Sequence, residues 1–422
     1  MNKQFYKVNR EKVLKEIKDN SLVILFAGNA PKKTADEKYP FTPNRNFYYL
    51  TGIDEEEHIL LMSKINGNIK STLFIKEIDP ILEKWQGKSV RKDEAFEISD
   101  VDEVEYLGSF KNVLHKIITS REDFNVYLDL EKDSYNSPET LAENISWEIF
   151  KKYPQVNIKN IYRIISKFRL VKSEEEIQRI QKAIDITIEG VKNLMKICTP
   201  GMKEYELEAY FDLTCKTKGV RDFAFKTIAA SGKNAAVLHY VDNNSEIKDG
   251  QLILFDLGAQ YNYYNGDISR TFPVNGKFTE RQKDVYNSVL RVNERVIKSM
   301  KPGVSFIELN KQARKWIAEE CIKLGLIEKE EEVSKYYYHS IGHSLGMDTH
   351  DIEPPNRDVI FEAGMVYTVE PGIYIEDESI GIRIEDDVLI TEDACEVLTK
   401  DMIKTVEDIE EFMLNNKNTL QF

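Results

Sequence analysis

Cysteine is scarce in this chain: four occur among 422 residues, Cys198, Cys215, Cys321 and Cys395, with no C-x-x-C pair. That spacing argues against a disulfide framework and suits reduced, buried thiols in a cytoplasmic protein. Histidine is nearly as rare, at six. Long apolar runs are missing too. No eighteen consecutive apolar residues occur and the first twenty residues are charged throughout, so neither a membrane span nor a secretory leader is expected. Basic residues are in deficit, 58 Lys and Arg against 72 Asp and Glu, for a net charge of −14. Nucleic-acid binders need clustered cations to displace condensed counterions, so nucleic acid is not an expected partner. The sequence also has no G-x-S-x-G elbow and no G-x-x-x-x-G-K-[ST] loop, which leaves a serine nucleophile and a phosphate cradle without support.

The chain is longer than one hydrophobic core usually supports, and its 41% hydrophobic content suffices for two. Two domains are therefore expected, 1–168 and 169–422. The first alternates β-rich runs, such as Ser21 to Phe26 and Ser71 to Ile75, with helical stretches such as Phe110 to Thr119. It reads as a mixed α/β domain. The second opens with a capping signal, Ser173 followed three residues later by Glu176. Ile177, Ile180, Ile184, Ile188 and Val191 then recur at helical spacing, which predicts a helix to about Cys198, stopped by Pro200-Gly201. A helix, Pro-Gly turn, helix pattern recurs at Lys301-Pro302-Gly303, and the second helix of each copy ends at a glycine, Gly219 or Gly325. This predicts a duplicated unit with pseudo-twofold symmetry, with the β-rich runs central and the helices packed outside.

Carboxylates and histidines carry the chemical signal. Asp256 lies on the apolar strand Leu252-Ile-Leu-Phe-Asp256, and the chain returns to Asp267, so a turn near Tyr261-Asn262 would set the two aspartates face to face. Facing carboxylates repel, and they require protons or cations between them. Glu370 ends the apolar run Met365 to Val369 and meets Pro371-Gly372. Arg383 and Glu385 alternate onto one face of a strand. Three of the six histidines, His339, His343 and His350, fall within twelve residues beside Gly342 and Gly346, which would let backbone approach a ligand closely. His58 and His115 read as structural. One imidazole and four carboxylates form a hard, oxygen-rich donor set that suits Mn²⁺, with Co²⁺ or Zn²⁺ as alternatives, and four negative charges roughly balance two divalent ions. Such ions sit about 3.5–4 Å apart and activate a shared water.

These residues together resemble the pita-bread metallopeptidases, and within them the aminopeptidase P and prolidase group. The resemblance covers the chain from Arg169 onward and places Asp256, Asp267, His343, Glu370 and Glu385 on the five metal-ligand positions. It implies an α+β pita-bread catalytic domain behind a smaller α/β domain, two bound divalent ions, and cleavage of the bond between an N-terminal residue and a following proline. It further implies that Glu370 accepts a proton from the shared water. His239, His350 and Arg383 match positions of the group expected to face substrate, and His339 would line the pocket for a proline ring. Tyr39-Pro-Phe, the run Asn46 to Gly52 and Trp85-Gln-Gly87 resemble the group's amino-terminal domain, which implies a homodimer, or a tetramer, with Trp85 near a neighbour's site. A prolidase would share the ligand set. A non-catalytic peptide binder on the same fold is the alternative from a different class, and the complete ligand set argues against it.

Overall fold

The computed structural model describes residues 1–354, 359–417 and 419. They form two compact units, Met1–Phe168 and Arg169–Phe422. The first is built on a six-stranded mixed sheet. Its strands are β1 (Ser21–Phe26), β2 (Ile59–Ile65), β3 (Asn68–Ile75), β4 (Glu103–Tyr106), β5 (Phe124–Leu128) and β6 (Val156–Asn160), in the order β4-β3-β2-β1-β5-β6. Pairing is antiparallel within β1-β2-β3 and parallel outward to β4, β5 and β6. Leu22, Ile24, Leu61, Phe74, Val126 and Leu128 on one sheet face pack against Phe110, Leu114, Ile118 and Ile149 from two helices. His58 is fully buried here and held uncharged by burial, which pushes its pKa down to about 4. His115 is exposed and contacts the Tyr153 hydroxyl.

In the second unit the long predicted helix is α1 (Glu174–Ile197), and the Glu176 carboxylate accepts from both the N–H and the hydroxyl of Ser173, at 2.8 and 2.9 Å. One backbone donor at the helix start, the Ser173 N–H, is thereby satisfied by a side chain. After the Pro-Gly turn come α2 (Glu204–Thr217) and the antiparallel strands β7 (Ile228–Ser231), β8 (Leu252–Leu257) and β9 (Ile268–Pro273). The second copy runs through α3 (Glu280–Ser299), α4 (Phe306–Lys323), β10 (Val366–Val369), the hairpin β11 (Gly372–Ile375) and β12 (Ile380–Arg383), then β13 (Asp386–Ile390) and β14 (Cys395–Val397). Gly201 and Gly303 occupy the same left-handed conformation at the corresponding turns, with φ of 93° and 85°. Gly219 and Gly325 do so after α2 and α4, with φ of 78° and 72°. The copies meet where β9 lies beside β12: Glu385 N–H donates to the Ser269 carbonyl at 3.0 Å, and Arg383 N–H donates to Thr271 Oγ1 at 3.3 Å. That seam carries the site.

All four cysteines are free, three buried and Cys395 half-buried. Burial pushes the thiols of Cys198, Cys215 and Cys321 up to about 12. Among the described residues, no helix is long and apolar enough to cross a membrane.

Candidate active site

The β8 to β9 connection is a two-residue turn at Asn262-Tyr263, one position later than the sequence suggested. Both residues have positive φ, 50° and 66°, the type I′ pattern whose twist matches a tight hairpin. The register follows from it. Asp256 pairs with Ser269, and Asp267 lies beyond the last paired position, Leu257 with Ile268. The two aspartates are therefore not directly opposed. They occupy the same face as diagonal neighbours, and Ser269 is the cross-strand partner of Asp256.

The second copy supplies the rest. Glu370 follows the last residue of β10. The strand expected to carry both Arg383 and Glu385 ends at Arg383, and Glu385 sits in the junction before β13. Both still reach one atom: Arg383 Nε donates to Ser269 Oγ at 2.7 Å, and Ser269 Oγ donates to Glu385 Oε2 at 2.7 Å. The ion pair of Arg383 is made with Asp256 Oδ2, at 2.6 Å, so the two residues on the predicted strand do not pair with each other. His343 donates from Nδ1 to the Ser344 carbonyl at 3.1 Å, which leaves Nε2 facing Asp267 Oδ2 at 3.5 Å and Glu370 Oε1 at 3.8 Å. Gly342 and Gly346 serve a purpose other than ligand approach. A Cβ at Gly342 would stand 2.0 Å from the Thr368 carbonyl oxygen, and one at Gly346 would stand 2.2 Å from Asp351 Oδ2, so these glycines let the histidine loop pack on β10 and on its own buried carboxylate.

Asp256, Asp267, His343, Glu370 and Glu385 line a cavity of about 620 Å³ with His239, His339, His350 and Arg383. Nine sequence-predicted residues thus converge. Trp85 is not among the lining residues; it stands on the first unit with 84% of its surface exposed.

The electrostatics of this cavity are unbalanced. Burial, then Glu385 and Asp256, hold the Asp267 carboxyl well above the usual range, and burial with Glu385 does the same to Glu370. Glu385 is pushed up to about 8 by burial and by Asp256, against the opposing pull of Arg383. Four carboxylates share one guanidinium, so the site must take up protons or cations. Two buried oxygens, Asp256 Oδ1 and Asp267 Oδ1, have no hydrogen-bond partner. One donor atom each from Asp267, His343 and Glu385 lie within 4.8 Å of one another. Oxygen donors with one neutral imidazole nitrogen fit a hard or borderline divalent ion.

Sequence reasoning did not find Tyr374, Ser269 or Asp387. The Tyr374 phenol donates to His339 Nε2 at 2.9 Å and accepts from Arg383 Nη1 at 3.1 Å, and it is kept protonated by burial. His339, held neutral by burial and by Arg383 with its pKa down at about 3, donates from Nδ1 to the Ser340 carbonyl. Asp387 accepts from the Asp267 N–H at 3.1 Å. Only Ser269 left a signal, because it shares strand parity with Asp267.

A two-copy fold whose halves converge on buried carboxylates and an imidazole defines a pita-bread metallopeptidase. Residues 178–392 match the model of metallopeptidase family M24, and residues 6–127 match the aminopeptidase P N-terminal domain. The chain is 32% identical to the Xaa-Pro aminopeptidase of Escherichia coli strain K12, with 98% of each chain covered. It superposes on a solved Bacillus anthracis structure assigned to aminopeptidase P with a TM-score of 0.97 at 48% identity, both chains covered in full. It likewise superposes on zinc-substituted Escherichia coli aminopeptidase P in complex with product, with a TM-score of 0.91 at 32% identity and 99% of each chain covered. The chain belongs to metallopeptidase family M24, in the branch that carries an aminopeptidase P N-terminal domain.

Proposed function

We propose that the protein is a Xaa-Pro aminopeptidase that hydrolyses the bond between an N-terminal residue and a following proline, with two divalent ions held by Asp256, Asp267, His343, Glu370 and Glu385. The observation that carries this reading is the convergence of those five side chains, two of them with unpartnered buried oxygens, on one cavity. Mn²⁺ suits the donor set best, with Co²⁺ or Zn²⁺ as alternatives. When bound, such a pair would bring the pKa of a shared water toward neutrality and polarise the scissile carbonyl.

The chain's own residues supply the remaining steps. Glu370 is partly open to the cavity and is a raised-pKa carboxylate, so it can take the proton of the attacking water and pass it to the leaving proline nitrogen. His239 and His350 are exposed to the cavity and can donate hydrogen bonds to the developing oxyanion, each worth roughly 3–4 kcal/mol of transition-state stabilisation. Arg383 fixes Asp256 and, through Ser269, Glu385. His339, neutral and packed at a tilt against Tyr337 and Tyr374, offers an apolar wall suited to a proline ring.

The test uses chelator-treated protein, an Xaa-Pro dipeptide and an Xaa-Pro-Xaa tripeptide, with and without added Mn²⁺. Release of the first residue from the tripeptide only when metal is returned is the expected result. Cleavage of the dipeptide alone would make the protein a prolidase. Metal binding without cleavage of either would remove the catalytic reading. The reading also includes a cytoplasmic homodimer in which the exposed Trp85 lies near the neighbour's site; light scattering that returns a monomer would sink that part.

A further inference from the structure

His239 stands on a segment with little regular structure. Between the end of β7 at Ser231 and the start of β8 at Leu252 the chain makes one 3₁₀ turn, Gly232–Ala236, and otherwise runs as loop. Leu238, His239 and Val241 line the cavity from this loop. A loop that projects a side chain toward a reacting atom must be held to a fraction of an ångström, and regular hydrogen-bond ladders do not do it here.

Asn243 ties the far end of the loop to Ala229, Thr227 and Glu208, and one other buried side chain gathers the stretch on either side of His239. Glu204, at the first turn of α2, is completely inaccessible to solvent. Its Oε1 accepts from the Ser231 N–H and Ser231 hydroxyl, both at 2.7 Å, and from Asn234 Nδ2 at 3.0 Å. Its Oε2 accepts from the Tyr240 hydroxyl at 2.8 Å and from the Ser245 N–H at 2.9 Å. Five donors from four residues spread along the loop therefore meet on one carboxylate, and one of them, Tyr240, is the immediate neighbour of His239. Hydrogen bonds to an ionised acceptor are the strong ones, and a network in which every donor is satisfied has a single arrangement.

We propose that Glu204 is a positioning residue: it sets the 231–245 loop and thereby places His239 at the cavity. The inference rests on the role assigned to His239 above. Glutamine at this position has the same shape but one accepting oxygen. Whichever way its amide is turned, the NH₂ faces a backbone N–H, of Ser231 or of Ser245, and a backbone donor cannot rotate away as a hydroxyl can.

Glu204→Gln is expected to keep the metal content and KM of the natural enzyme and to lose about ten- to a hundredfold in kcat on the tripeptide. Introduced into His239→Ala, the same change should cost nothing further, because the residue it positions is gone. A second readout needs no turnover. With six histidines in the chain, the His239 ring resonance of isotope-labelled protein can be followed, and Glu204→Gln should shift or broaden it while leaving His58 and His115 unchanged. Equal slowing of the natural and His239→Ala enzymes, or an unmoved His239 resonance, would overturn the proposal. If the natural enzyme cleaves no Xaa-Pro peptide, the functional reading falls and the resonance alone decides the positioning claim. If Glu204→Gln does not fold, Tyr240→Phe removes one donor only, and it must move the His239 resonance for the proposal to stand.

Discussion

Replacement of Asp267 by asparagine should abolish tripeptide hydrolysis, with a loss on the order of a thousandfold or more, and should remove at least one metal ion from the purified protein. The same change should raise the melting temperature of the metal-free protein. These effects have one cause. Asp267 is buried against Glu385 and Asp256 and lies 3.5 Å from His343, so its charge is useful only when a cation shares the space. Asparagine keeps the volume, deletes the charge, and presents an NH₂ to the neighbouring carboxylates. Stability gained by removing a charge at the price of activity is the signature of a functional site. Elemental analysis, steady-state rates and calorimetry on one preparation test all three consequences. Retention of metal and of turnover by the asparagine variant would contradict the assignment of Asp267.

The second large effect is a pH dependence with an unusual sign. Without metal, burial and then Asp256 push Glu385 up to about 8 from an ordinary 4.5, and burial with neighbouring carboxylates raises Asp267 and Glu370 as well. An acid whose pKa is raised by folding stabilises the fold below its unfolded pKa, and that stabilisation is lost as pH climbs through the folded value. His58 and His339 oppose this in acid. Their pKa values fall from 6.5 to about 4 and about 3, so they favour folding progressively more as pH rises to 6.5 and contribute no further change above it. Between about pH 6.5 and 8 the carboxylates act alone, and metal-free stability should fall by up to about 1.4 kcal/mol per pH unit for each such group. Cations compete with the same protons, so the stabilisation produced by added Mn²⁺ should grow over that interval. Denaturant melts at several pH values, with and without chelator, measure both slopes. A metal-free stability that is flat or rising from pH 6.5 to 8 would show that these carboxylates do not repel one another as described.

The residues that line the candidate site were legible because their types are rare or out of place: a charge at the end of an apolar strand, or three histidines in one short stretch of a histidine-poor chain. Helix α1 was legible nearly to the residue because a capping box and a Pro-Gly stop bracket a clean apolar stripe. Geometry was less so. The hairpin turn was misplaced by one residue because Asn262 and Tyr263 lack the glycine that usually marks a type I′ turn, and that shift turned facing aspartates into diagonal ones. Glu385 was read onto the strand of Arg383 because Ile382 and Ile384 continue the alternation, whereas the chain leaves the β11–β12 hairpin there to enter another sheet. Tyr374 and Glu204 were invisible for a different reason: an ordinary tyrosine and an ordinary first-turn glutamate gain their roles only from what folds against them.

The shielded thiols have a practical corollary. Three cysteines are buried and strongly disfavoured as thiolates, and the fourth, half-buried Cys395, donates its S–H to the Ile297 carbonyl at 3.2 Å. Alkylating and maleimide reagents attack thiolates that solvent can reach, so the natural chain is a near-silent background for labelling. A single thiol introduced in place of the exposed Trp85 would be the one reactive handle on the molecule. A fluorophore or spin label fixed there would report directly whether a second copy approaches that surface.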